Sequence, residues 1–156
     1  MNTINRQTEK IFRTSRVLIG VDPGTHTGLA VWNGSTFTEV TSLPLHAALL
    51  RVKELNDRLG FRGHGLTVVF EDARLRKWYG TSTARQDRAR LQGAGSVKRD
   101  CAIWEEALTD WGIEWHAVAP KNNYTKMTAE AFARLTGWTE RTNEHGRDAA
   151  MLVWGR

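Results

Sequence analysis

Three short acidic constellations carry the chemistry this chain can do. The first is Asp22, which closes the apolar run Val17-Leu18-Ile19-Gly20-Val21. A strand buried on both faces accommodates a carboxylate only at its end, where water or a cation can reach it. The second is Glu71, followed by Asp72, at the end of Leu66-Thr67-Val68-Val69-Phe70. In the third, Asn143-Glu144-His145-Gly146-Arg147-Asp148 reads as the start of a short helix capped by Thr142 or Asn143. His145 and Asp148 stand three apart there and share a face. If two strand ends and one helix start converge, the carboxylates and imidazole suit Mg²⁺ or Mn²⁺. Two such ions about 3.5–4 Å apart clamp the attacking and leaving oxygens of a phosphodiester.

The elements that must position these residues read as an α/β unit. Pro23-Gly24 turns the chain after Asp22, and Gly28-Leu29-Ala30-Val31-Trp32 doubles back as a second strand. Asn33-Gly34 predicts a type I′ hairpin into a third strand from Ser35 to Ser42. Pro44 opens a helix with Leu45, Leu49, Val52, Leu55 and Leu59 at helical spacing, and Gly60 ends it. The fourth strand ends at Glu71, and a basic helix is expected from Thr81 to Leu91. Gly93-Ala94-Gly95 is expected to interrupt it before Ser96 caps a new one. That next helix carries Val97, Cys101, Trp104, Leu108 and Trp111, and Ile103 and Ala107 widen the stripe. One side then faces the sheet, and another is available to a partner. A fifth strand covers Glu114 to Val118, Pro120 stops it, and a last connecting helix runs through Leu135.

Composition bounds the function classes. The 156 residues, 40% hydrophobic and 25% charged, fit one domain with a real core. No apolar run is long enough for a membrane span. The lone Cys101 excludes an internal disulfide and fits a reducing compartment, with cytoplasm as the expected location. The net charge of +5 matters for where it lies. From Arg74 to Arg99 eight basic residues face one acid, Asp87. Arg74, Arg76 and Lys77, then Arg85, Arg88 and Lys98, are candidate contacts to phosphates, whose neutralisation releases condensed counterions. Trp78 and Tyr79 sit inside this basic stretch, either stacking on unpaired bases or packing in the core. Residues 1–16 add four basic residues against Glu9 and read as a flexible or DNA-contacting arm, preferred here over an organellar transit peptide. Residues 17–156 form the single folded domain.

Asp22-Pro23-Gly24 followed by Gly28-Leu29-Ala30, Glu71 closing a strand, and His145-x-x-Asp148-Ala149-Ala150 in the last helix resemble a known family. They are similar to the RuvC-type Holliday junction resolvases, or crossover junction endodeoxyribonucleases, of the ribonuclease H-like superfamily. The similarity runs in order and spacing from Val17 to Trp154. It implies a ribonuclease H-like fold, with a five-stranded mixed sheet flanked by helices, and a homodimer that nicks two strands of a four-way DNA junction using two Mg²⁺ ions. Carried over by position, Asp22, Glu71, His145 and Asp148 form the metal-binding and catalytic set. Many members place Asp where this chain has His145, so His145 is either a ligand or a group that orients water or the scissile phosphate. Basic residues corresponding to Lys121 and Lys126 meet DNA phosphates in that family.

Two other classes compete. Asp22-Pro23-Gly24-Thr25 followed by Gly28 also resembles the phosphate-binding hairpin of actin-like ATPases and sugar kinases, but those need two lobes, and 156 residues hold one. A non-catalytic junction-binding protein is the other rival, and it would not need acids at all three sites.

Overall fold

The computed structural model describes residues 16–61, 65–76, 84–120 and 126–156, with backbone alone at 61, 84–92 and 94. Its centre is strand β1 (Val17–Asp22), made of residues that sheets favour and buried on both sides. β2 (His26–Trp32) pairs antiparallel to β1, and β3 (Phe37–Pro44) pairs antiparallel to β2. On the other side β4 (Leu66–Glu71) lies parallel to β1, and β5 (Glu114–Val118) parallel to β4. The result is a five-stranded mixed sheet in the order β3-β2-β1-β4-β5.

Helices cover both faces. The parallel crossover from β3 to β4 passes through α1 (Leu45–Phe61), and that from β4 to β5 through α2 (Ala84–Asp110). Ala48 and Val52 of α1 pack with Cys101, Trp104 and Leu108 of α2 against Ile19, Val21, Leu29, Val68 and Phe70. The opposite face is covered by α3 (Ala129–Thr136) and α4 (Glu144–Met151), whose Phe132, Ala149 and Ala150 pack with Ala30, Trp32, Val40 and Val69. No described helix is long and apolar enough to cross a membrane.

Three local expectations are corrected. Gly93 and Gly95 do not break α2, which runs as one helix of 27 residues, so Ser96 caps nothing. Each glycine costs about 1 kcal/mol against alanine, whereas complete burial of a side chain such as Leu108 returns about 1.5–3 kcal/mol. The anchored C-terminal half, with Cys101, Trp104 and Leu108 fully buried, therefore outweighs the weak turn. The connection after β2 is not a two-residue turn, because Trp32 pairs with Phe37 and leaves residues 33–36 as the loop. The Asn33 side chain closes it by accepting from the amides of Ser35 and Thr36, both at 2.9 Å. Pro44 ends β3 opposite His26 and leaves Leu45 to start α1. Of the expected N-terminal arm, residues 1–15 lie outside the described residues; Arg16 is exposed and pairs with Glu114 at 2.8 Å.

Candidate active site

β1 and β4 run parallel with Val21 opposite Phe70, so the next residue of each, Asp22 and Glu71, closes its strand beside the other at the same edge, where the parallel strands have their carboxyl ends. β5 extends that edge, with Glu71 opposite Val118. Bonds on and just beyond Glu71 fix the strand end. The amide of Asp72 donates to the Val118 carbonyl at 2.8 Å, and the Cys101 thiol donates to the Glu71 carbonyl at 3.7 Å. The buried Asp72 carboxylate caps a single 3-10 turn, Ala73–Leu75, and accepts two-pronged bonds from the Arg74 guanidinium at 2.7–3.0 Å. Arg74 also pairs with Glu105 of α2. Burial works to raise the Asp72 carboxyl, but the Arg74 bonds offset it and hold the group below the usual carboxylate range.

α4 enters from the opposite side. Asn143 is its cap, accepting from the Gly146 amide at 2.9 Å, which satisfies one of the orphan donors of the first turn. Gly20 and Gly28 let this helix lie directly on the sheet, because an added Cβ at Gly20 would overlap the Ala149 carbonyl and one at Gly28 the His145 carbonyl. Seated so closely, the first turn brings His145 Nδ1 to 3.0 Å from Asp22 Oδ2. Asp148, one turn on from Glu144, lies with it around the ammonium of Lys126, whose Nζ is 3.4 Å from Asp148 Oδ2 and 3.1 Å from Glu144 Oε2.

The acids form one electrostatic unit. Burial, reinforced by the negative charge of Asp148, raises the Asp22 carboxyl above its ordinary value despite the His145 hydrogen bond and the charge of Lys126. Glu71 is raised as well, first by burial and then by the charges of Asp22 and Asp148, with Arg76 and Lys126 acting against the shift. Burial first, and then charge repulsion, work against the ionisation of Asp22 and Glu71, which Asp148 faces as a further negative charge. A hard divalent ion relieves that repulsion, so the donor set fits Mg²⁺ or Mn²⁺ in chemistry. Among the described residues, however, no group of three or more His, Cys, Asp or Glu side chains already closes on one metal position. Asp22 is engaged by His145, and Asp148 by Lys126.

The structure thus brings Asp22, Glu71, His145 and Asp148 to one edge of the sheet. The basic residues fare unevenly. Arg74 is held by Asp72 and Glu105, so its guanidinium serves the fold beside Glu71. Arg76 is exposed just past the 3-10 turn, and its charge acts on Glu71. Lys98 is exposed on α2, and Arg85 and Arg88 stand on the same helix. Lys77, Trp78, Tyr79 and Lys121 lie outside the described residues. Lys126 precedes α3, and its described ion pairs are with acids of the site.

Two tethers leave no trace in the sequence. One is the Asp72–Arg74–Glu105 link; the other is Arg147, whose Nε donates to the Met127 carbonyl at 2.8 Å and whose Nη1 donates to Thr142 Oγ1 at 3.1 Å. Arg147 thereby ties the segment carrying Lys126 to α4. No local signal marks the Arg74–Glu105 or the Arg147–Met127 contact, since each joins residues well apart in the chain. An open groove lined by Arg74, Ile103, Glu105, Glu106 and Asp110 runs along α2 and is lined by none of the four site residues. No protein-family model matches the chain, and no curated protein matches it either.

Proposed function

We propose that this protein is a metal-dependent, structure-selective endonuclease that resolves four-way or other branched DNA, with a ribonuclease H-like fold of the RuvC type. The observation that carries the reading is the meeting of Asp22, Glu71 and the α4 residues His145 and Asp148 at one sheet edge. The strand order β3-β2-β1-β4-β5, with β2 alone antiparallel to the other four strands, supports the fold assignment.

Asp22, Glu71 and Asp148 would hold two Mg²⁺ ions, or Mn²⁺ in their place, which supply Lewis-acid charge and a water of lowered pKa when bound. The chain's own residues do the rest. The ionised carboxylates fix where positive charge can sit, and the raised values of Asp22 and Glu71 mean that ionisation is favoured by the arrival of such charge. His145, hydrogen-bonded to Asp22, orients that carboxylate and presents its other ring nitrogen as a ligand or as a partner for water or phosphate. Hydrolysis at the 3′ oxygen then leaves a 5′ phosphate and a ligatable 3′ hydroxyl. Exposed bases such as Lys98 and Arg76 contribute to phosphate binding. Because a four-way junction has two strands to cut about a two-fold axis, the working form is a homodimer. The cytoplasm of a bacterium or of a virus-infected cell is its place of action.

The test is incubation with Mg²⁺ and a panel of labelled substrates: a four-way junction, a fork, linear duplex and ATP. Paired nicks in the junction with ligatable ends are expected. Junction binding without cleavage would assign the protein to a non-catalytic role, and consumption of ATP to a phosphate-binding lobe.

A further inference from the structure

We propose that Lys126 is the resident cation of the acidic site: its ammonium holds Asp148 and Glu144 in the metal-free protein and is displaced when a divalent ion binds. The inference rests on the metal-dependent reading above and deepens it. Lys126 Nζ bridges Glu144 Oε2 at 3.1 Å and Asp148 Oδ2 at 3.4 Å. Its charge also bears on Asp22 and Glu71, more weakly than burial and the neighbouring acids do, so one ammonium reaches every acid of the cluster.

The placement is built into the backbone. Glu144 and Asp148 stand four apart on α4, which puts both carboxylates on one side of the helix. Arg147, on the same helix, donates from Nε to the Met127 carbonyl at 2.8 Å and fixes the chain next to Lys126. The lysine is therefore delivered to the acids by the helix that carries them. Its side chain is 55% exposed, so it has solvent to withdraw into. A lysine suits such a role because it is a compact charge on a flexible stem and lacks the planar fork with which arginine would lock onto a carboxylate.

Competition follows from occupancy. A divalent ion taken up by Asp148 would meet the like charge of the ammonium 3.4 Å from Oδ2, and the side chains now turned toward Lys126 and His145 do not yet close on one metal position. Metal binding must break the lysine pair, so the measured affinity contains that cost. The lysine keeps the carboxylates paired in the absence of metal and sets the metal concentration at which the site fills. Once displaced, it leaves a positive charge at the rim of the site.

The experiment is calorimetric titration of Mn²⁺ into the full chain without DNA, for the wild type, Lys126→Met, Lys126→Gln and, as a charge control, Lys53→Met. Lys53 is on α1, paired with Asp57. Both Lys126 variants should bind Mn²⁺ about tenfold more tightly, the sum of two partly exposed ion pairs no longer broken, and Lys53→Met should match the wild type. Equal or weaker binding by the Lys126 variants, with the wild type still binding, overturns the displacement and leaves the metal-dependent reading standing. An equal gain in Lys53→Met reduces the effect to overall charge and overturns it too. Absence of binding in every protein overturns both.

Discussion

His145 Nδ1 and Asp22 Oδ2 are 3.0 Å apart although 123 positions separate them in the chain. The contact depends on how low α4 sits on the sheet. Gly20 on β1 and Gly28 on β2 leave no side chain between the strands and the helix backbone, and Ala149 and Ala150 complete the close layer. Interiors are packed densely enough that one methyl group in such a layer is felt.

Gly28→Ala should therefore lift the start of α4, because its Cβ would meet the His145 carbonyl, a backbone atom that cannot rotate away. Overpacking of this kind costs about 1–3 kcal/mol, and cleavage should fall with it. Gly95→Ala, in open space on α2, should instead gain up to about 1 kcal/mol from helix propensity. Urea unfolding of both variants measures the contrast. Wild-type stability in Gly28→Ala would mean that the helix is not seated on this contact.

The raised acids predict a stability that falls with rising pH. Asp22 and Glu71 have folded-state values above their ordinary 3.8 and 4.5. Between the ordinary and the raised values the folded state binds more protons than the unfolded one, so stability declines as pH rises through that window and stays lower above it. In metal-free buffer at neutral pH, Asp22→Asn and Glu71→Gln should remove that penalty and melt higher, with each 1 kcal/mol relieved worth about 2–4 °C. Thermal melts in a chelator at pH 4 and pH 7 check the sign. A lower melting temperature for both variants at pH 7 would contradict the cost of burying these two charges beside other acids.

Arg74 should matter for folding more than for DNA. Its partner Asp72 has a side chain only 3% exposed, so Arg74→Ala leaves a buried carboxylate without its main partner. Hydrogen bonds to charged groups are worth about 1.5–3 kcal/mol, and Arg74→Ala should lose about that much. The depressed Asp72 value adds a pH signature: the pair's contribution is present above the ordinary carboxylate value near 3.8 and is lost as pH falls through the lower folded value. Lys98→Glu, at an exposed position, should keep stability and shallow the salt dependence of DNA binding by roughly 0.9 for each phosphate no longer neutralised. Denaturant titrations beside filter binding at several salt concentrations separate the two roles. An Arg74→Ala variant of unchanged stability would contradict the structural assignment.

The elements that show a strong period were legible in the sequence. Val17 to Asp22 and Leu66 to Glu71 read as strands because their apolar runs end in acids, and the stripe Cys101, Trp104, Leu108 read as a buried helix face. The cap Asn143 was one of two candidates in view. Gly93 and Gly95 misled, because a local weakness in a helix is overridden by packing along the rest of it. The ion pairs of Arg74 were hidden for a different reason: a basic residue in a basic stretch carries no sign of which acid it meets, even when its buried partner is only two positions away. The roles of Lys126 and Arg147 depend on how α3 and α4 return to the sheet, which no local pattern encodes.

The most direct measurement compares wild type, Asp22→Asn and Glu71→Gln on a labelled four-way junction in Mg²⁺, with binding assayed separately in a chelator. Both amides keep the side-chain shape and remove the ligand charge. The account predicts Mg²⁺-dependent paired nicks by the wild type, a loss of cleavage by at least about a hundredfold in each variant, in the range expected for a metal-held catalytic step, and junction affinity close to that of the wild type. Cleavage at the wild-type rate by either variant would contradict it.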